Sequence, residues 1–206
     1  MRLAILFSGQ GNQLPAHLER LRESVAPDLG AALSRAIPSV WAVSELPAGE
    51  LQANRVAQPL IFALQMNLWR QLQPHLPRPV CVAGYSLGEM AACCAAGAFP
   101  AEAGLGLCAT RAGLMDACVE GPAGLLAVIG PRAPEMEALA RQISTPLDWD
   151  ACLGAVLEMQ PDAVLEIGPG NALARMWGER ESAVPVRASD DFRTVAGIIE
   201  WVRARA

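Results

Sequence analysis

Four short apolar runs, spaced far apart along the chain, constrain the fold more than any other feature of the sequence. They cover residues 3–7, 80–83, 125–129 and 163–167, and a glycine follows each run within two residues. Runs that are apolar on both sides suit the inner strands of a parallel sheet, which helices cover on both faces. Helical patterns lie between the runs, so the sequence predicts a mostly parallel α/β sheet with right-handed crossovers.

No internal repeat or low-complexity linker divides the 206 residues, which are therefore expected to form a single α/β domain. A weaker short strand is expected at residues 184–187. The predicted helices cover residues 58–72, 87–96, 101–118, 134–143, 149–159 and 192–205.

Composition excludes several classes of function. Hydrophobic residues make up 52% of the chain and charged residues 18%, as in a globular protein. The net charge is −5 and both signs are mixed along the chain, which argues against a nucleic-acid or membrane partner. The opening "MRLAILFSGQGNQ" is too short in its apolar part for a secretory signal, so a cytoplasmic location is expected.

The cysteines show no metal-ligand spacing, so no metal site is expected. They lie within apolar segments, and adjacent Cys93 and Cys94 are interpreted as small core residues. Reduced thiols are the predicted state. The six are Cys81, Cys93, Cys94, Cys108, Cys118 and Cys152.

A serine lies on a glycine-flanked corner in "GYSLG", residues 84–88. A nucleophile on a tight strand-to-helix turn needs small neighbours, which Gly84 and Gly88 provide. The turn would expose the hydroxyl of Ser86 and direct the amide of Leu87 towards a developing oxyanion. Ser86 is therefore the candidate nucleophile, and an incidental Ser-Gly turn is the alternative.

A second glycine corner, "FSGQGNQ", follows the first strand. Parallel strands end at the same edge of the sheet, where ligands bind in open α/β folds. Gln10, between Gly9 and Gly11, could thus supply its side chain or its amide to the same oxyanion. A phosphate-binding loop or a merely tight turn is the alternative. Dinucleotide binding is not expected, because the rest of its glycine fingerprint is missing.

Together the two corners resemble the malonyl-CoA:acyl-carrier-protein transacylase family. Further similar segments are "RVAQPLIFALQ", "CATRAGLMDAC" and "VLEIGPGNALARM". Tyr85 before the serine, "NRVAQPL" and "RASDDFR" are most similar to the epsilon subunit of bacterial malonate decarboxylase. The resemblance implies the α/β-hydrolase-like core of the acyltransferase fold.

The resemblance also implies a mechanism and partners. Ser86 would take a malonyl group from malonyl-CoA and pass it to the phosphopantetheine thiol of an acyl carrier protein. Gln10 and Leu87 would form the oxyanion hole. Arg111 would bind the malonyl carboxylate, and Gln58 matches a glutamine at the substrate site. No bound cofactor is implied, and the other malonate decarboxylase subunits are further expected partners.

The family's catalytic histidine has no counterpart at its usual place in this sequence. His75 precedes the strand that leads to Ser86, so it should lie at the opposite edge of the sheet, on the order of 15 Å away. His17 follows the first corner but lies in the amphipathic helical pattern "LPAHLER" and matches no catalytic position. It stays a weak candidate for the base.

A shortened segment would explain the missing histidine. The family's small ferredoxin-like subdomain is expected to be absent, with a deletion junction near residues 130–135. A natural loss and an engineered deletion both fit this pattern. Asp148 in "PLDW" matches the position that orients the histidine in the family.

Two alternatives to acyl transfer remain at this point. The missing base favours a non-catalytic subunit that docks carrier protein or partner subunits, for which Arg175, Arg180 and Arg187 could form part of a basic rim. A serine hydrolase or thioesterase shares the G-x-S-x-G corner but needs a histidine after the last strands, and the last histidine is His75.

Overall fold

The computed structural model describes residues 1–43, 49–118 and 148–205. Its sheet is parallel, with the strand order β2-β1-β3-β4. The strands are β1 (Leu3–Phe7), β2 (Cys81–Gly84), β3 (Ala163–Ile167) and β4 (Val186–Ala188). The prediction of a mostly parallel α/β sheet is confirmed for these residues.

Helices connect the strands and cover both faces of the sheet. Nine α-helices lie in the described ranges: α1 (Pro15–Ser24), α2 (Pro27–Ala36), α3 (Pro38–Trp41), α4 (Asn54–Leu72), α5 (Gly88–Ala95), α6 (Ala101–Ala117), α7 (Trp149–Glu158), α8 (Ala172–Arg180) and α9 (Val195–Arg203). Three 3₁₀ turns accompany them: η1 (Glu50–Gln52), η2 (Gln73–His75) and η3 (Ser189–Asp191).

Burial on both faces explains why β1 is wholly apolar. All five of its residues are 0% exposed. Alternate side chains enter different clusters: Leu3, Ile5 and Phe7 pack with residues of α4, whereas Ala4 and Leu6 pack with Trp149 and Trp177 on the other face. Alternation across a central strand thus places β1 between the two halves of the core.

Some predicted elements differ in extent and others escaped prediction. The helix expected from residue 58 begins at Asn54 and contains Pro59, and the helix expected from residue 192 begins at Val195. Helices α2, α3 and α8 were not predicted, although proline at the first helical position marks both α2 and α3. The predicted strand 125–129, helix 134–143 and junction 130–135 lie outside the described residues.

The cysteines are free thiols with unequal burial. Cys108 is buried, and burial raises the pKa of its thiol to about 12. The interpretation of Cys93 as a core residue is wrong, because α5 turns it towards solvent while Cys94 is partly buried. Among the described helices, none combines the length and apolar character needed to cross a membrane.

Glu166 is the one charged side chain within β3, and it is 0% exposed. Its carboxylate accepts hydrogen bonds from the amides of Leu173 (3.3 Å) and Ala174 (2.7 Å), in the first turn of α8. These amides have no partner within the helix, so the carboxylate fixes α8 against the end of β3. Burial raises the pKa of Glu166 to about 7, although the two amides oppose the increase.

Replacing Glu166 should remove part of the pH dependence of stability. The pKa of this carboxyl is about 7 in the fold against 4.5 ordinarily, so the unfolded chain loses the proton first and stability falls as pH rises between these values. We expect Glu166→Gln to abolish this decrease, which amounts to about 3 kcal/mol at ~1.4 kcal/mol per pH unit. Urea unfolding at pH 4.5 and pH 7 measures it. Exposed Glu179→Gln is the control, and parallel pH profiles for Glu166→Gln and the parent would contradict the assignment.

Candidate active site

The corner between β2 and α5 holds Ser86 in an unusual backbone conformation. Its φ is 53°, in the left-handed region that residues other than glycine rarely adopt. Such a conformation costs roughly 1–2 kcal/mol, so the surrounding packing must stabilise it. The side chain is exposed at the carboxyl edge of the sheet, where a substrate can reach it.

The two glycines that flank the corner permit close packing against the neighbouring strand. A Cβ atom on Gly84 would lie 2.0 Å from the carbonyl carbon of Gly88, and one on Gly88 would lie 2.1 Å from the carbonyl oxygen of Phe7. Neither position has room for a side chain. The Tyr85 amide also donates to the Phe7 carbonyl (3.0 Å), so the corner is attached directly to β1.

The first glycine corner lies beside the serine corner. A Cβ atom on Gly9 would lie 3.0 Å from the carbonyl oxygen of Tyr85, and Gly11 has a φ of 139°. The side chain of Gln10 donates to the carbonyl of Gln52 in η1 (3.1 Å). The side-chain amide of Gln10 is thus engaged, and its backbone amide is the other donor that this residue offers. Within the described ranges, no group accepts a hydrogen bond from the amide of Gln10 or of Leu87.

Arg111 lies directly over the hydroxyl of Ser86. Its Nη2 is 3.3 Å from Ser86 Oγ, and its Nη1 donates to Oε1 of Gln58 at 2.8 Å. Gln58 is fully buried in α4 and donates in turn to the sulfur of Met115 at 3.2 Å. The contact with Met115 was not predicted, although a residue four positions after Arg111 shares its helix face.

Close packing of α4 and α6 supports this arrangement. A Cβ atom on Gly104 would lie 2.2 Å from the ring of Phe62, so this ring leaves no room for a side chain at residue 104. Arg111 is partly buried, and among the described carboxylates none lies within ion-pair distance of it. The guanidinium is therefore oriented by an amide and faces the hydroxyl, with donors available for a carboxylate.

His17 does not serve as the base. Its Nδ1 accepts the amide of Leu14 (2.8 Å), which places the proton on Nε2, and Nε2 donates to Asp190 Oδ2 (2.8 Å). The same oxygen accepts the amide of Gly170 (2.7 Å). Burial alone would raise the pKa of Asp190, but the bonds from His17 and Gly170 outweigh it and hold that pKa below its ordinary value.

His75 lies at the opposite end of the sheet, as predicted. It is exposed in η2, ahead of the strand whose far end carries Ser86. Both histidines of the chain are thus accounted for. This chain supplies no imidazole to Ser86, which distinguishes it from the usual serine–histidine pair.

The segment around Asp148 lies beside the serine corner, and the Asp148 side chain stabilises the start of α7. The carboxylate of Asp148 caps α7 by accepting the amide of Ala151 (2.9 Å). The next residue, Trp149, packs its ring edge-on against Tyr85 with 5.3 Å between centroids. The position that the family resemblance assigns to histidine orientation therefore lies near Ser86, and here its side chain caps the start of a helix.

A cavity of about 290 Å³ lies elsewhere at the same edge of the sheet. His17, Asp190, Phe192 and Ile198 are among its lining residues, and the site around Ser86 is not part of it. Nor do the described residues include a group of three or more His, Cys, Asp and Glu side chains that could hold a metal ion. The candidate site is therefore an open serine–arginine pair.

Comparison with known families identifies the class of protein. A family model described as "Acyl transferase domain" matches residues 5–146, more than half of the chain. The chain belongs to the acyl transferase domain family. The match spans both glycine corners and Arg111, so the residues that meet in the structure fall within the acyl transferase segment.

Relatives of this acyl transferase domain include much longer proteins. Spectinabilin polyketide synthase system protein NorA' of Streptomyces orinoci is 32% identical over 150 residues, which cover 68% of this chain and 4% of that protein. Naringenin synthase of Pestalotiopsis fici is 32% identical over 155 residues, which cover 71% of this chain and 6% of that protein. The chain thus spans only a small part of either relative.

Solved structures share the acyltransferase fold. An acyl carrier protein S-malonyltransferase from Vibrio cholerae superimposes with a TM-score of 0.76 at 19% identity, covering 96% of this chain and 100% of that one. A malonyl-transacylase in complex with a type II polyketide synthase acyl-carrier protein gives a TM-score of 0.76 at 19% identity, covering 97% and 99%. These likenesses confirm the predicted fold.

Substitution of Gly84 by alanine should destabilise the protein, because the new methyl group would overlap backbone atoms of α5. We expect the free energy of unfolding to fall by at least ~2 kcal/mol. Gly106→Ala is the matched control. Gly106 lies in α6, and outside its own helix no atom of the described residues lies within 4 Å of its Cβ position, so the change should raise stability by about 0.5–1 kcal/mol. Urea denaturation compares them, and equal midpoints for Gly84→Ala and the parent would refute the packing argument.

Proposed function

We propose that this chain transfers a malonyl group from malonyl-CoA to the phosphopantetheine thiol of an acyl carrier protein through a malonyl–Ser86 intermediate. The observation that carries the proposal is the contact between Arg111 and Ser86 (3.3 Å). A guanidinium this close to a nucleophile favours an acyl group that carries its own negative charge.

The reaction proceeds in two half-reactions that share one oxyanion site. Ser86 Oγ attacks the thioester carbonyl, its proton passes to the departing sulfur, and the carbon–sulfur bond of malonyl-CoA breaks. The thiol of the carrier protein then attacks the malonyl ester and Ser86 recovers a proton. The amides of Leu87 and Gln10 stabilise the oxyanion in both steps.

Selectivity for malonyl over acetyl groups comes from the pair of Arg111 and Gln58. Gln58 is buried and fixes one guanidinium nitrogen at 2.8 Å, so the remaining donors can meet a carboxylate without first being ordered. An acetyl group has no carboxylate, so the guanidinium donors would bind water instead of the acyl group. The proposed selectivity therefore acts through charge and geometry together.

We further propose that the carrier protein is that of a malonate decarboxylase, with the other subunits of that enzyme as partners. The support is the similarity of Tyr85, "NRVAQPL" and "RASDDFR" to the epsilon subunit. Fatty acid synthesis is the other setting for the same transfer. Of the arginines considered for carrier docking, Arg180 pairs with Asp150 and Arg187 with Asp191, which leaves exposed Arg175 as the stronger candidate.

The second candidate function is docking of a carrier protein without catalysis. It is favoured by one observation: both nitrogens of His17 are engaged and His75 lies at the far end of β2, so Ser86 lacks an imidazole base. A serine hydrolase is less well supported, since it needs the same base to activate water.

Ser86 should form a covalent adduct with malonyl-CoA. We expect incubation of the intact chain to add one malonyl mass, located on the peptide that contains Ser86, and transfer of that mass to pantetheine. Ser86→Ala should remove the adduct without loss of fold. Intact-protein and peptide mass spectrometry measure both outcomes. No adduct on a folded parent protein would favour the docking function, and release of malonate to water without transfer would favour a hydrolase.

Arg111 should determine which acyl group is accepted. Loss of a charge-assisted, bidentate contact costs about 1.5–3 kcal/mol, or roughly 10- to 150-fold in rate. We expect Arg111→Ala to lower the acylation rate with malonyl-CoA by that factor and to change the rate with acetyl-CoA much less. Exposed Arg35→Ala in α2 is the control and should leave the ratio of the two rates unchanged. Equal losses for both thioesters would contradict a carboxylate-binding role.

A further inference from the structure

We propose that Gln65 is a positioning residue for the oxyanion loop, defined as residues 8–10, and that it acts by fixing the Ser8 carbonyl. This inference rests on the proposed function, since it assigns a task in stabilising the oxyanion. Gln65 lies in α4, two helical turns after Gln58, and its side chain is fully buried.

The amide of Gln65 meets the ends of two strands at once. Its Nε2 donates to the Ser8 carbonyl at 2.8 Å and approaches the Ile167 carbonyl at 3.3 Å. Ser8 lies directly after β1 and Ile167 is the last residue of β3. A single side chain therefore ties together the two strand ends that precede the first corner and the Gly168 turn.

The hydrogen bond from Gln65 to the Ser8 carbonyl fixes the orientation of the first peptide unit in the oxyanion loop. The Ser8 carbonyl and the Gly9 amide belong to one planar peptide unit, so fixing the carbonyl fixes the orientation of Gly9. Gly9 in turn packs against the carbonyl of Tyr85, where a Cβ atom would lie at 3.0 Å. Loss of the Gln65 contact would let this peptide rotate and displace the Gln10 amide relative to Ser86.

The close fit around Gln65 leaves the loop few alternatives. A Cβ atom on Gly168 would lie 2.0 Å from Ser8 Oγ and 2.8 Å from Gln65 Nε2. The Ser8 amide also donates to the Ile167 carbonyl at 3.2 Å. Ser8 is thus held through both its amide and its carbonyl, and only the second of these bonds depends on a side chain.

The side-chain oxygen of Gln65 indicates that this residue is not explained by stability alone. Its Oε1 is buried and has no hydrogen-bond partner in the described part of the chain. An unsatisfied buried acceptor is unfavourable, and an apolar side chain of the same size would avoid it. Functional sites are where such local costs are retained, which fits a side chain kept for the position of Ser8.

The test compares Gln65→Met with Gln71→Met, a matched control on the same helix whose amide donates only to the Asn67 carbonyl (3.1 Å). A fluorophosphonate probe reports the reactivity of Ser86 without any thioester. The hydroxyl forms an O–P bond as the P–F bond breaks, fluoride leaves and the serine proton passes to solvent. We expect Gln65→Met to label about 10- to 100-fold more slowly than the parent, as displacement of an oxyanion donor predicts. Its urea midpoint should match that of Gln71→Met.

Malonyl-CoA supplies a second readout. The acylation rate at saturation should fall in Gln65→Met while the half-saturating concentration stays unchanged, because Arg111 and Gln58 are untouched. If the parent protein reacts with the fluorophosphonate but not with malonyl-CoA, the proposed transfer is refuted. The comparison of Gln65→Met with the parent then still tests this inference. Equal labelling of folded Gln65→Met and the parent, or no labelling of the parent, would overturn the inference.

If Gln65→Met does not fold, Gln65→Asn replaces it. This variant keeps a buried amide and withdraws it by one methylene group from the Ser8 carbonyl. We expect folded Gln65→Asn to label more slowly than Gln71→Met, with a rate reduced by less than about 10-fold relative to the parent. Labelling at the parent rate would overturn the inference in the same way.

Discussion

Direct contact between the serine corner and β1 is the constraint on which the site depends. Gly88 packs onto the carbonyl of Phe7, and the Tyr85 amide bonds to that same carbonyl. Because no side chain separates these backbones, the strained conformation of Ser86 is imposed by the sheet and not by the corner alone. Ser86 and residues 8–10 are consequently held next to each other at the ends of β1 and β2.

The chemistry of the site depends on helices that are distant in sequence from this unit. Arg111 comes from α6 and its orienting partner Gln58 from α4, and the ring of Phe62 in α4 packs directly against Gly104 in α6. A cation held over a hydroxyl suits an anionic acyl group. It also differs from a general base, since a guanidinium stays protonated and cannot take the serine proton.

Much of this architecture could be predicted from local pattern. The fully apolar run of β1 and the glycines at residues 84 and 88 have local signals, because burial on both faces and backbone contact each demand particular residue types. Helix α8 was not predicted, and part of what fixes its start is a carboxylate in β3 that accepts two of its first amides. Such a contact between separate elements leaves no trace in helical periodicity.

The sequence by itself determined the parallel α/β class, the serine corner that carries the candidate nucleophile and the likeness to acyltransferases, because these follow from periodicity and from contiguous motifs. Only the tertiary structure decided what the remaining polar residues do. His17 could have served as a base until its two nitrogens were found bound to Leu14 and to Asp190, the latter 173 residues away. Hydrogen bonds between distant segments depend on packing that the whole chain creates, so no local pattern reports them.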